Sequence, residues 1–258
     1  MNGASDGRTA VGVDGCKAGW VAVSRVAGGE PEASVFKTFA GLLEAFPADA
    51  TIAVDMPIGL PAFSARGGRG PEALVRPLLG QRQSSVFSIP SRAALYADTA
   101  DFTTLDAWYE AHARASAVAR ETSDPPRGVS IQAFGIFSKI RELDGLLIAR
   151  PELRSRIVES HPEVAFWQLN GLQAMALPKK IKGRVNPAGM EERKALLAGN
   201  GLPRAFLDRS PPRGAAEDDF LDAAAVMLVA ERVVRGVAIS FPDPPGLDGH
   251  GIPVAIWV

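Results

Sequence analysis

Residues 11–23, VGVDGCKAGWVAV, and residues 52–61, IAVDMPIGLP, decide the fold. In the first, valines recur on both sides of a short glycine-bearing loop, so residues 9–13 and 19–26 read as two β-strands of a hairpin. In the second, the short apolar run of residues 51–56 reads as a strand stopped by Pro57. Between them, residues 33–39 suggest a third strand. Leu42, Leu43 and Phe46 then fall at helical spacing, in a short helix ending near Pro47. Each of the two quoted stretches carries an acid at its strand end, Asp14 and Asp55.

Residues 61–90 are rich in Gly, Arg, Ser and Pro and read as loop with one helical turn. Leu105–Glu121 has the alanine and charge content of a helix. Ser130 is placed to cap another, along which Ile131, Phe134, Phe137, Ile140, Leu143 and Leu147 recur every three or four residues. Residues 61–156 therefore read as a largely helical insertion in one domain spanning residues 1–258. Residues 156–169 contain a further strand, and residues 190–197 are helical. Glu217–Val234 is a long apolar helix with an acidic first turn, and residues 252–258 close the chain as an edge strand. The class expected is α/β, a mixed sheet flanked by helices.

Composition narrows the function. A length of 258 residues with 47% hydrophobic content suffices for one large core. The single cysteine, Cys16, excludes an internal disulfide and fits a reducing compartment. Residues 1–9 are polar, without the apolar run of a signal peptide, and no stretch has the length to span a bilayer. The expected location is the cytoplasm, with no membrane partner. A net charge of −1 argues against a generally basic nucleic-acid binder. Locally the balance differs: Arg66, Arg69, Arg76, Arg82 and Arg92 stand against one acid, Glu72, and Lys179, Lys180, Lys182 and Arg184 form a second basic run. Patches of this kind follow phosphate backbones, although any single arginine is more often a solvated loop residue.

The acids carry the chemistry. Asp14 alone reads equally well as a hairpin turn, since Asp-Gly is a turn signal, and Asp55 alone as a turn residue before proline. If the first and fourth strands are neighbours, however, their ends bring both acids to one sheet edge. Carboxylates held close raise each other's pKa, and a bound cation removes that repulsion. Asp219 and Asp222 share a helix face three residues apart. The helix dipole accounts for Glu217, Asp218 and Asp219, but less well for Asp222, which runs straight into AAAVMLVA and needs a partner. Glu159 and Glu163 flank His161, which ranks below the acids because one histidine is more often structural. His112, His161 and His250 are too dispersed for a zinc motif. No P-loop and no GxSxG elbow is present, and nothing marks a histidine partner for Cys16. The glycines of Gly67-Gly68-Arg69-Gly70 suit a phosphate cradle but are weak evidence alone.

These stretches recur in a fixed order: VGVDGCKAGWVAV, IAVDMPIGLP, LGQRQSSVFSIPSR (residues 79–92), IQAFGIFSKIRELD (131–144), ESHPEVAFWQLNG (159–171), LPKKIKGR (177–184) and EDDFLDAAAVMLVAERV (217–233). Together they resemble the prokaryotic family called domain of unknown function 429, over about residues 11–258. The resemblance implies an RNase H-like core, of which three strands, a helix and a fourth strand form the first half. It also implies a relation to resolvases of the RuvC type. Those enzymes place one acid on the first strand, one at the end of the fourth and a pair in the last helix. The positions that match are Asp14, Asp55, and Asp219 with Asp222, Asp218 being the register alternative to Asp219. Glu159, in the HPE motif, is a further candidate ligand. Arg82, Ser84, Ser85, Lys179 and Lys180 match family motifs and are candidate phosphate contacts.

Carboxylate ligands without cysteine or paired histidine favour Mg²⁺ or Mn²⁺. The expectation is metal-dependent hydrolysis of a nucleic acid, DNA or RNA, with Asp14 bridging two ions, Asp55 and Asp222 holding one each, and Asp219 or Glu159 completing a shell. The rivals are a metal-dependent phosphatase or other small-phosphate enzyme, and a nucleic-acid-binding module with a degenerate site. Retention of all four acids disfavours the last.

Overall fold

The computed structural model describes residues 7–100 and 102–258, so residues 1–6 of the polar N-terminal stretch lie outside it. Its strands are β1 Thr9–Cys16, β2 Gly19–Val26, β3 Glu32–Phe36, β4 Thr51–Val54, β5 Ile157–Ser160, β6 Lys180–Ile181, β7 Arg184–Val185, β8 Ser240–Leu247 and β9 Pro253–Trp257. The helices are α1 Phe39–Ala45, α2 Pro71–Val75, α3 Arg92–Leu95, α4 Leu105–Glu121, α5 Ile131–Gly135, α6 Phe137–Ala149, α7 Pro162–Leu169, α8 Pro187–Gly199, α9 Arg204–Leu207 and α10 Glu217–Val234. Seven strands form one mixed sheet in the order β3-β2-β1-β4-β5-β9-β8, and β6 and β7 form a separate hairpin. The class is α/β, as the sequence indicates.

β1 is the organising strand. It pairs antiparallel with β2 on one side and parallel with β4 on the other. Seven of its eight residues are buried, which is why it reads as a nearly unbroken apolar run. Side chains alternate between faces with a period of two. Val11 and Val13 join Trp20, Phe39, Ile52 and Val54 in one core, completed by α1, α4 and α6. Ala10 and Cys16 join Val21, Val23, Ala53 and the α10 side chains in the other. Even-numbered positions of β1 therefore face α10.

That packing is unusually close. A Cβ built on Gly12 would lie 2.1 Å from the Ala223 carbonyl oxygen and 2.1 Å from the Met227 nitrogen. Only glycine lets the α10 backbone rest on the strand. α10 is buried along almost its whole length, from Phe220 to Ala230.

Several elements differ from the sequence reading. β1 runs on through Asp14, which pairs with Val21, so the hairpin turns at Lys17 and Ala18 rather than at Asp-Gly. The helix capped by Ser130, whose Oγ accepts from the Ala133 nitrogen, is broken at Ile136 into α5 and α6. Its first apolar residue, Ile131, is exposed. Residues 61–90 hold more helix than expected, α2 followed by a 3₁₀ segment Arg76–Ser85. β9 is an inner strand, because the edge is taken by β8. With three prolines in SFPDPPGL, β8 lacks an alternating pattern, and an edge is where a sheet tolerates proline. Among the described residues, no helix is long and apolar enough to cross a membrane.

Replacing Gly12 with alanine must push α10 off β1. Overpacking of this kind is expected to destabilise by about 1–3 kcal/mol or more, read as a lower denaturant midpoint for Gly12→Ala. An unchanged midpoint would mean that the helix seats elsewhere.

Candidate functional site

The sheet brings three acids from distant parts of the chain to one point. Asp14 is two residues beyond Gly12 on the face that meets α10. Asp55 follows β4 with the parity of Ala53, also on that face. Asp222 is next to Ala223, where α10 touches Gly12. One carboxylate oxygen from each of Asp14, Asp55 and Asp222 lies within 4.8 Å of the other two. Ligand oxygens on one divalent cation, at about 2–2.6 Å from it, stand at most about 4–5 Å apart, so a single ion fits among the three.

The electrostatics are those of a site short of positive charge. Burial, then repulsion from Asp55 and Asp222, pushes Asp14 well above the usual carboxylate range. Burial likewise raises Asp55, against the opposing pull of His161 and Lys179. Asp222 is pushed up to about 6 by burial, with Lys179 again opposing. Lys179 donates from Nζ to Asp222 Oδ2, and its charge also acts on Asp14 and Asp55. One ammonium thus faces three carboxylates. Among the described residues, Asp222 Oδ1 is buried with no donor, as is Glu163 Oε2 close by, whose charge disfavours ionisation of Asp55 and Asp222. Buried acceptors without donors, together with an all-oxygen ligand set, fit a hard divalent cation.

Other candidates fall outside this trio. Asp219 Oδ2 accepts from the Ala216 nitrogen at 3.0 Å and caps α10. Asp218 pairs with Lys180 at 2.5 Å. Glu159 pairs in register with Val54, and the side chains of Val54 and Ile157 belong to the core away from α10. Its Oε1 takes Arg69 at 2.6 Å, and its Oε2 takes Arg69 at 2.9 Å and the Ile58 nitrogen at 2.7 Å. Arg69 also binds Glu72 and the Ile58 carbonyl. Glu163 pairs with the fully buried Arg193 at 2.5 Å.

Asp14 and Asp55 open onto a cavity of about 160 Å³, whose walls include Ser85, His161, Lys139 and Glu159. His161 Nδ1 accepts from the Glu163 nitrogen, so its Nε2 carries the proton and donates to the Ser85 carbonyl. Ser85 Oγ donates to the Arg82 carbonyl. Ser84 lines a neighbouring cavity. The basic patch read between residues 61 and 92 is partly internal: Arg69 is committed to Glu159 and Glu72, and Arg92 to Asp144 and Asp248. Lys139, which lies in the 131–144 motif but is not among the candidate site residues, donates to the Gly19 carbonyl and stacks over Trp20.

Residues 12–246 match the family model described as protein of unknown function (DUF429), and the chain belongs to that family. Neither the curated proteins nor the solved structures give a match.

Two outcomes follow from the electrostatics. Glu159→Gln weakens the compensation of a buried guanidinium and is expected to destabilise by about 3–5 kcal/mol while Mn²⁺ binding persists. Calorimetric loss of Mn²⁺ binding in the folded variant would make Glu159 a ligand instead. The second outcome concerns pH. Because the folded state raises the pKa of Asp14, its carboxyl supports stability most below about pH 4, and that support is lost as pH rises through the folded value. In chelator, the melting temperature of Asp14→Asn should match that of the wild type near pH 4 and exceed it near pH 7.5. A difference that does not change with pH would place Asp14 in a neutral, unstrained environment.

Proposed function

We propose that the protein is a divalent-metal-dependent hydrolase of phosphodiester bonds in nucleic acid, working through Asp14, Asp55 and Asp222. The observation that carries this reading is the convergence of those three buried carboxylates on one point, with Asp222 Oδ1 left without a donor. The strand order β3-β2-β1-β4-β5, antiparallel over the first three strands and parallel thereafter, supports the RNase H-like reading of the core.

In this reading the three aspartates hold Mg²⁺ or Mn²⁺. When bound, such an ion polarises a phosphoryl oxygen and lowers the pKa of attacking water. The trio defines one ion position, and a second would need Asp219 to leave its cap or Glu159 to leave Arg69. Lys179 supplies positive charge beside the acids. The β6–β7 hairpin, tied to the start of α10 by Lys180 and Asp218, presents exposed Lys182 and Arg184 next to the site, where a phosphate backbone would pass. A second reading, hydrolysis of a phosphomonoester, is favoured by the small size of the cavity at Asp14 and Asp55.

The test is Mn²⁺ titration by calorimetry alongside cleavage of single-stranded, duplex and branched substrates and of a mononucleotide. Mn²⁺ should bind and raise the melting temperature. Asp14→Asn and Asp222→Asn should abolish metal-dependent cleavage while remaining folded. A cleavage rate unaltered in Asp14→Asn would place the chemistry elsewhere, and activity confined to the mononucleotide would select the phosphatase reading.

A further inference from the structure

A second, larger cavity of about 530 Å³ lies against the first, the two sharing Val86, Phe87 and Ile89 as a common wall. Its volume falls in the range of small-ligand sites. Its remaining walls come from the glycine loop at Gly67 and Gly68, the 3₁₀ segment at Gln83 and Ser84, and the connection at Ser123, Arg127 and Ser130. Among the described residues, no carboxylate lines it.

Two arginines face it without a matching acid. Arg76 is fixed by three bonds, Nε to the Val86 carbonyl at 3.0 Å, one terminal nitrogen to the Gly67 carbonyl at 2.6 Å and the other to Ser88 Oγ at 2.8 Å. Three of its five N–H groups are so used, leaving two to donate. The positive φ of Gly67, 102°, is what lets that carbonyl turn towards the guanidinium. Glu72, whose charge favours the protonated form of Arg76, is already bonded to Arg69 through Nε and through the backbone nitrogen. Arg127 is exposed, and its guanidinium has no partner among the described residues. Burial and the Arg127 charge both hold Arg76 below its usual range. The wall also includes Ser64, whose buried Oγ has no partner among the described residues. Two fixed or free guanidiniums, an unpartnered hydroxyl and no acid make a cavity complementary to an anion.

We propose that this cavity is a phosphate subsite, in which Arg76 and Arg127 hold the phosphate of a nucleotide unit flanking the bond to be cleaved. The anion site stands on its own residues, whereas its assignment to a nucleic-acid substrate rests on the function proposed above. The wall shared with the acid cavity gives the subsite its place: a strand lying across Val86 and Phe87 presents one phosphate to the carboxylates and the next to the arginines. Ser84 and Ser85 point the sequence motif both ways, Ser84 into this cavity's wall and Ser85 into the other's.

The experiment is calorimetric titration of the full chain in chelator, where no hydrolysis occurs. The probes are inorganic phosphate and short oligonucleotides bearing a 5′-phosphate or a 5′-hydroxyl. Phosphate and the phosphorylated probe should bind, and Arg127→Gln should weaken both about tenfold, the loss of a charge-assisted contact. Arg127→Lys should recover part of the affinity, and Arg209→Gln, a remote exposed arginine, should bind as the wild type does. Because Arg127 is exposed and unbonded, its variants should fold even if Arg76→Gln does not. Equal affinity in wild type and Arg127→Gln overturns the subsite. Phosphate bound through Arg127 by a protein that, with Mn²⁺, cleaves no nucleic acid would keep the subsite and remove the nuclease reading. Nucleic-acid cleavage with KM unaltered in Arg127→Gln would do the reverse.

Discussion

Backbone-to-backbone contact between Gly12 and α10 sets the geometry on which the rest depends. A helix normally stands off a sheet by the depth of its side chains. Here the strand has none at the point of contact, so Ala223 and Met227 meet it directly. Asp222 and Asp14 are close neighbours in sequence of the residues in that contact. Their meeting is thus a consequence of core packing and needs no attraction between them. The contact is apolar and extensive, with α10 buried from Phe220 to Ala230, and it holds together groups that would otherwise repel.

The same arrangement explains why the acids sit at the strand ends. Inside the sheet, an ionised carboxylate would have only apolar neighbours. At the ends of β1 and β4 the chain opens onto a cavity, and Lys179 reaches in from the segment preceding the hairpin. One ammonium among three carboxylates lowers the repulsion without cancelling it: burial first, then the charges of Asp55 and Asp222, raise Asp14 against the pull of Lys179. Glu159, on the opposite sheet face, has the contrasting environment. Its two oxygens meet Arg69 and a backbone nitrogen, so it ties β5 to the loop after β4 and belongs to the architecture.

How much of this the sequence reveals depends on the range of the interaction. Local patterns are legible: the β1–β2 hairpin, α4 and α10 follow from alternation, helical spacing and capping residues. The convergence of Asp14, Asp55 and Asp222 is legible too, once β1 and β4 are placed side by side. Parity within a strand is also written in the sequence. Asp55 continues the phase of Ala53, while Glu159 continues that of Ile157, which separates the two acids across the sheet although both lie in strand-end motifs. What local pattern does not show is pairing at long range. Nothing near Arg69 announces that it will be buried against Glu159, ninety residues on, and nothing near Lys179 announces Asp222. Asp14 reads as a turn because Asp-Gly usually makes one. Its strand continues only because β2 offers register partners through Cys16. β8 hides because prolines break the alternation by which strands are recognised.

Those prolines have a consequence for how the molecules behave towards one another. A sheet edge exposes backbone donors and acceptors that another chain's strand can zip onto, the first step towards aggregation. In β8 three of the eight residues, Pro242, Pro244 and Pro245, carry no N–H to offer, and the register against β9 slips between Phe241 and Gly246. The outer rim of the sheet is therefore irregular and poor in donors, a shape that a straight foreign strand cannot match. The residues that obscure β8 in the sequence are the ones that make this edge a poor template for a second copy.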